Sequence, residues 1–83
     1  MAPILGVQSF LARAALGWNL RDLAHAAGIS PQAVAHFERG GRVKASTLEA
    51  IQRALEKAGV IFIDANDGGP GARLRSQGTV LRG

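Results

Sequence analysis

The chain has no cysteine, so it builds neither a disulfide framework nor a thiolate metal site, and it suits a reducing cytoplasm. It also lacks an apolar run long enough to span a membrane, and its first residues lack the basic start and extended apolar segment of a secretory signal. Acidic side chains are few. Six Asp and Glu stand against ten Lys and Arg, and the net charge of +4 favours an anionic partner. No internal repeat is present. At 83 residues the chain is expected to form one small domain with a thin core and no room for a small-molecule effector domain. What remains is a soluble intracellular domain.

Catalytic chemistry is thin as well. His25 and His36 fall on different segments with no acidic partner at metal-ligand spacing, so no metal is expected. Asp64, Asn66, Asp67 and Gly68 superficially have the look of a calcium loop, but the acidic spacing is wrong and no glutamate closes it. The glycine pairs lack the strand-then-helix context of a phosphate-binding loop. Serines and threonines read as ordinary helix caps. Neither an enzyme activity nor a cofactor is expected.

The informative stretch is residues 20–37, LRDLAHAAGISPQAVAHF, which reads as two short helices joined by a glycine turn. Asn19 caps the first helix, with Asp22 at its third position completing a capping box. Gly28 stands where the helix end needs a left-handed residue, a conformation that glycine adopts at least cost. Ser30 caps the second helix, and Pro31 suits its first position, where a missing N–H forfeits no helical bond. Trp18 with Leu23, and Ile29 with Val34, are spaced as hydrophobic staples. Two helices this close must cross steeply. Leu23, Ile29, Val34 and Phe37 then face inward, and Ala24 is small enough for the crossing.

The outward face of the second helix, residues 31–39, carries Pro31, Gln32, Ala35, His36 and Arg39. All are small or hydrogen-bonding, as a helix entering a major groove about 12 Å wide requires. Gln32 matches adenine N6 and N7; His36 donates to guanine N7 or to a phosphate, and Arg39 reaches guanine or the backbone. Ala33 and Ala35 suit thymine methyls, with an inward orientation the alternative for Ala33. So few polar readers imply that DNA shape supplies part of the specificity. Asn19, Arg21, Ser30, Arg42, Lys44 and Ser46 are the candidate phosphate contacts, which position the protein without reading bases.

Arg13 ahead of the turn, LRDLAHAAGIS and AVAHFERGGR within it, and STLEAIQRALEKAG after it together resemble the phage-repressor and Cro-like helix-turn-helix regulators, the XRE family. The likeness covers residues 7–59. A bare helix-turn-helix pattern is weakly specific, but its phasing with ERG and TLEAI is strongly so. The resemblance implies a mainly α, compact four-helix, lambda-repressor-like domain of bacterial or phage type that binds DNA. It also implies an ion pair between Arg13 and Glu38, because in that family an arginine of the first helix holds the glutamate ending the recognition helix. From the residues alone, an exposed and inert Arg13 is the other reading. Leu20 departs from the family, which often has a phosphate-contacting glutamine there, and no fifth helix follows.

Residues 4–16 read as the first helix, from Val7, Leu11, Ala14 and Trp18 at helical spacing and Gly17 as the stop. After Gly40 and Gly41 the chain turns basic. Arg42 and Lys44 flank a helix of residues 47–58, which Ser46 is expected to cap and Glu49 to complete as a capping box. That makes a phosphate clamp at a positive helix end, two solvated loop cations being the plainer reading. Leu48, Ile51, Leu55 and Ala58 give the helix one apolar face, with Arg53 and Lys57 on its solvated side. Beyond Gly59, the run Val60, Ile61, Phe62 and Ile63 has strand length and is apolar on both faces, residues 64–71 form a turn, and residues 72–75 return as a short strand.

An isolated hairpin is marginal in water, so the strand of residues 60–63 is expected to pair with its copy in a second protomer across a two-fold axis. A monomeric hairpin folded onto the first and last helices is the other reading. The expected organisation is a helix-turn-helix domain at residues 1–59, a dimerising strand or hairpin at 60–75 and a flexible tail at 76–83. Two copies would read a palindrome with half-sites about 34–36 Å apart. The function expected is a sequence-specific transcriptional regulator, most simply a homodimeric repressor on double-stranded DNA. The alternative is an antitoxin-like module whose C-terminal segment binds a protein partner.

Overall fold

Helix ends in this chain are decided within a few residues of where they fall. The computed structural model describes residues 4–63, 69–75 and 80–82. Among the described residues four helices form, α1 at Gly6–Leu16, α2 at Leu20–Ala27, α3 at Pro31–Glu38 and α4 at Ala45–Lys57. At the start of α2 the Asn19 side chain accepts from the Asp22 N–H while the Asp22 carboxylate accepts from the Asn19 N–H, both at 2.9 Å. Gly28 ends α2 at φ 71°, and the Ile29 N–H reaches back to the Ala24 carbonyl at 3.0 Å. The chain therefore turns at once into Ser30, whose hydroxyl accepts from the Ala33 N–H at 3.1 Å, and Pro31 opens α3.

The buried face of α1 is not the one that hydropathy suggests. Ala14 is exposed and Val7 and Leu11 are half-buried, whereas Gln8, Ser9 and Ala12 are buried. Two of those three are polar, which hides the face from an apolar count, and both are satisfied inside. The Gln8 side-chain oxygen accepts from the Leu5 N–H at 2.8 Å, and its nitrogen donates to the carbonyls of Ile63 at 2.9 Å and Gly71 at 3.2 Å. α1 also begins at Gly6 and not at residue 4.

The capping box expected at Ser46 and Glu49 does not form. Lys44 is the extended residue before α4, its carbonyl accepts from the Leu48 N–H at 3.0 Å, and no side chain caps the helix. Ala45, a strong helix former, lengthens the helix ahead of Ser46, which leaves the serine inside the first turn. Glu49 instead meets Arg53 one turn on, at 3.3 Å. α3 likewise stops at Glu38, with Arg39 as its C-cap.

Leu23, Val34, Phe37, Ile51 and Leu55 form the centre of the core, joined by Ile4, Val60 and Ala72. β1 at Val60–Ile63 pairs antiparallel with β2 at Gly71–Leu74, setting Val60 opposite Leu74 and Phe62 opposite Ala72. Alternation turns Val60, Phe62, Ala72 and Leu74 toward the helices and puts Ile61, Ile63 and Arg73 on the other face. The strand of residues 60–63 thus has its described partner within its own chain, and the buried side of that pair is closed by the helices.

Residues 80–82 correct the expectation of a tail. Val80–Arg82 forms β3, antiparallel to β2, so the sheet runs β1-β2-β3 with β1 at one edge. Three residues are too few to register in a window of hydrophobic periodicity, which is why the pattern gives no sign of the strand. Of the expected turn, residues 64–68 lie outside the described residues, as do residues 76–79 and 83 of the expected tail.

Candidate nucleic-acid interface

A helix that reads DNA needs an outward stripe free of bulk and a root that holds its angle. On α3 and its C-cap, Gln32, His36 and Arg39 are exposed at i, i+4 and i+7, which is one face of the helix. Pro31, Ala33 and Ala35 lie half-buried beside them, and Val34 and Phe37 are buried on the opposite side. The exposed part of the helix is therefore polar and low in relief.

The root is polar too. Glu38, the last residue of α3, accepts from the Ser9 hydroxyl at 2.8 Å, from Arg13 Nε at 2.9 Å and from Arg13 Nη2 at 2.8 Å. Arg13 Nη1 donates to the Trp18 carbonyl at 3.0 Å, and its guanidinium stands 5.5 Å from the centre of the Phe10 ring. The two charged side chains are only 13% and 8% exposed, so this is a largely desolvated, forked pair rather than a surface one. Hydrogen bonding to Glu38 raises the Arg13 pKa above its already high ordinary value, opposed in part by burial, and the guanidinium stays charged throughout the accessible pH range. Gly6 completes the contact. A Cβ there would overlap the Phe37 carbonyl oxygen and come within 3.0 Å of Glu38 Cα. Gly6, Ser9 and Arg13 recur at i, i+3 and i+7, so one edge of α1 grips the C-terminal end of α3 by backbone contact, hydroxyl and guanidinium.

The candidate phosphate contacts sit on the elements around α3. Asn19 and Arg21 are at the start of α2, Ser30 at the start of α3, and Arg42, Lys44 and Ser46 on the loop and first turn leading into α4; all six are exposed. Ser30 accepts from a helix amide and keeps its own O–H free to donate. Among the described residues Arg21, Arg39, Arg42 and Lys44 take part in no ion pair, the pairs being Arg13 with Glu38 and Arg53 with Glu49. Unpaired, solvated cations of this kind can neutralise phosphates and release the ions condensed on them. Asp22 is the one acidic group at the start of α2, and its carboxylate is taken up by the Asn19 N–H.

Four contributors escape a reading of the sequence. Gly6, Gln8 and Ser9 all have their partners far along the chain. Gly41 looks like half of a loop, yet a Cβ on it would overlap the ring of His36. The one available signal is the spacing of small Gly6 and Ser9 on the same edge of α1 as Arg13. Among the described residues, no cluster of three His, Cys, Asp or Glu is placed to hold a metal, and no helix is long and apolar enough to cross a membrane.

A family model described as Helix-turn-helix matches residues 11–60, which is 50 of the 83 residues. The match starts within α1, covers α2, α3 and α4 entire and ends at the first residue of β1. No curated protein matches the chain.

Proposed function

The chain belongs to the Cro/C1-type helix-turn-helix family of DNA-binding transcription regulators, and from that premise we propose that it is a dimeric repressor whose α3 enters the major groove of a palindromic operator. The observation that carries this reading is the exposed polar face of α3 that presents Gln32 and Arg39, on a helix whose far end is locked to α1 through Glu38. Gln32 takes adenine through its amide, and Arg39 takes guanine or the adjoining phosphate. Ala33 and Ala35 leave room for thymine methyls. His36 lies toward the α3–α4 loop, close to where the DNA backbone would run. Asn19, Arg21, Ser30, Arg42, Lys44 and Ser46 contact phosphates on either side and set the register.

One eight-residue helix reads few base pairs, and a two-fold axis doubles the information. Among the described residues β1 is an edge strand of the sheet, which supports that axis. Val60, Ile61, Phe62 and Ile63 form an apolar edge strand, and pairing it antiparallel with its copy would join two three-stranded sheets into one of six strands. Repression would follow from occupying a promoter and excluding polymerase.

Fluorescence-anisotropy titration against the DNA upstream of the chain's own gene and a scrambled duplex, over a salt series, tests the reading. Tight, salt-sensitive binding that favours the upstream DNA by roughly 10³ or more is expected. Weak and equal binding to both duplexes would overturn it and turn attention to a partner protein on the C-terminal sheet. Light scattering should give a dimer mass, and Ile61→Lys, which places a charge on the sheet edge away from the core, should give a folded monomer. A dimer surviving that change would remove β1 from the interface.

A further inference from the structure

We propose that Gly41 is a specificity-determining residue of α3, because its bare Cα holds the His36 ring back on the loop and out of the stripe offered to the groove. The inference rests on the reading of α3 as the DNA-recognition helix and adds to it a residue that never touches DNA. Helix α3 ends with the Gly40 N–H bonded to the Phe37 carbonyl at 3.0 Å and the Gly41 N–H bonded to the His36 carbonyl at 2.9 Å. These are the two bonds of a Schellman ending, and they bring residue 41 beside residue 36 as a matter of helix-end geometry. An apolar side chain usually fills that contact. Here an imidazole does so, and its Cε1, Nε2 and Cδ2 atoms occupy the space where a Cβ of residue 41 would stand.

The backbone does not demand glycine at this position. The left-handed residue of the turn is Gly40, at φ 90°, and Gly41 is not among the glycines with positive φ. What an alanine at 41 would meet is therefore the far end of a two-torsion side chain, not a strained backbone. The ring is the part that moves, into another staggered rotamer. Nε2, the atom that would donate to guanine N7, is one of the atoms now set against Gly41. With glycine at 41, base reading falls to Gln32 and Arg39; with any larger residue, His36 swings outward and adds a base contact of its own.

A selection of bound sequences from random duplexes, run with the unaltered chain, Gly41→Ala, His36→Ala and the double variant, reads this directly. Gly41→Ala should change the preference at one or two base pairs by roughly tenfold, the scale of one base contact. His36→Ala alone should change no position by more than about twofold, well below that scale. The double variant should select the same sequences as His36→Ala, because the effect of residue 41 passes through the ring. Gly41→Ala selecting the same bases as the unaltered chain, or the double variant keeping the Gly41→Ala preference, would overturn the proposal. In the free, unaltered protein, NMR should detect close contact between the His36 ring protons and the Gly41 α protons, and absence of that contact would overturn it without reference to any variant. If the unaltered chain enriches no sequence at all, the regulator reading falls and this one with it. If it enriches a sequence that Gly41→Ala leaves unchanged, only this one falls.

Discussion

Between Asn19 and Gly41 every helix end is closed by a hydrogen bond to a residue no more than five positions away, whereas the strand pair beyond Gly59 is tied to α1 by Gln8 bonds that reach 55 and 63 residues along the chain. The helix ends of the first region are specified by their own neighbours; the contacts of the second are not. Local closure costs little chain entropy, while a contact across 55 residues must first close a large loop. The helix-turn-helix and the sheet are therefore different kinds of structure, and α1 is the element common to both, offering Ser9 with Arg13 to the first and Gln8 to the second.

That contrast can be broken most severely at Glu38. Glu38→Ala leaves Arg13 largely buried without its anion and should cost about 3–5 kcal/mol in urea unfolding, because an uncompensated buried charge is worse than none. Both regions should melt together, and a loss under about 1 kcal/mol would show that the pair is solvated in solution. Gln8→Leu is next, at about 2–3 kcal/mol, since it keeps the volume but removes three hydrogen bonds, those to the Leu5 N–H and to the Ile63 and Gly71 carbonyls. Hydrogen exchange should then rise first in the sheet while the amides of α3 stay protected; uniform loss would mean that the two regions are one cooperative unit. Gln32→Ala should leave unfolding unchanged and relax discrimination at one base pair by about 1–3 kcal/mol, which would confine its role to the exposed face. Ser30→Ala, the mildest, removes one cap for about 1 kcal/mol and should lower the melting temperature without shifting base preference.

The same contrast explains what the sequence made legible. Asn19, Asp22, Gly28, Ser30 and Pro31 announce α2 and α3 because each acts on its own neighbours, and the spacing of Ile51 and Leu55 announces α4. Ser9 and Gln8 are invisible to the same reasoning, since a polar residue on a helix reads as solvent-facing unless its distant partner is known. Hydropathy misplaces the face of α1 for that reason, and Ser46 resembles a cap of α4 although Ala45 prolongs the helix past it. In the interface, the exposed stripe followed from helical period alone. What period could not supply was the way His36 is turned, which depends on a side chain that Gly41 does not have.

The approach of α1 to α3 at Gly6 has a consequence for inheritance. Every single-base change in a glycine codon that replaces the glycine with another residue introduces a Cβ, and at position 6 that atom would collide with the backbone of Phe37 and Glu38, which cannot step aside as a flexible side chain would. The position thus has no neutral neighbour in mutational space. In a library of all single variants screened for operator binding, residue 6 should tolerate fewer replacements than the solvent-facing Gln32, although it lies at the far end of the helix contact and meets no base.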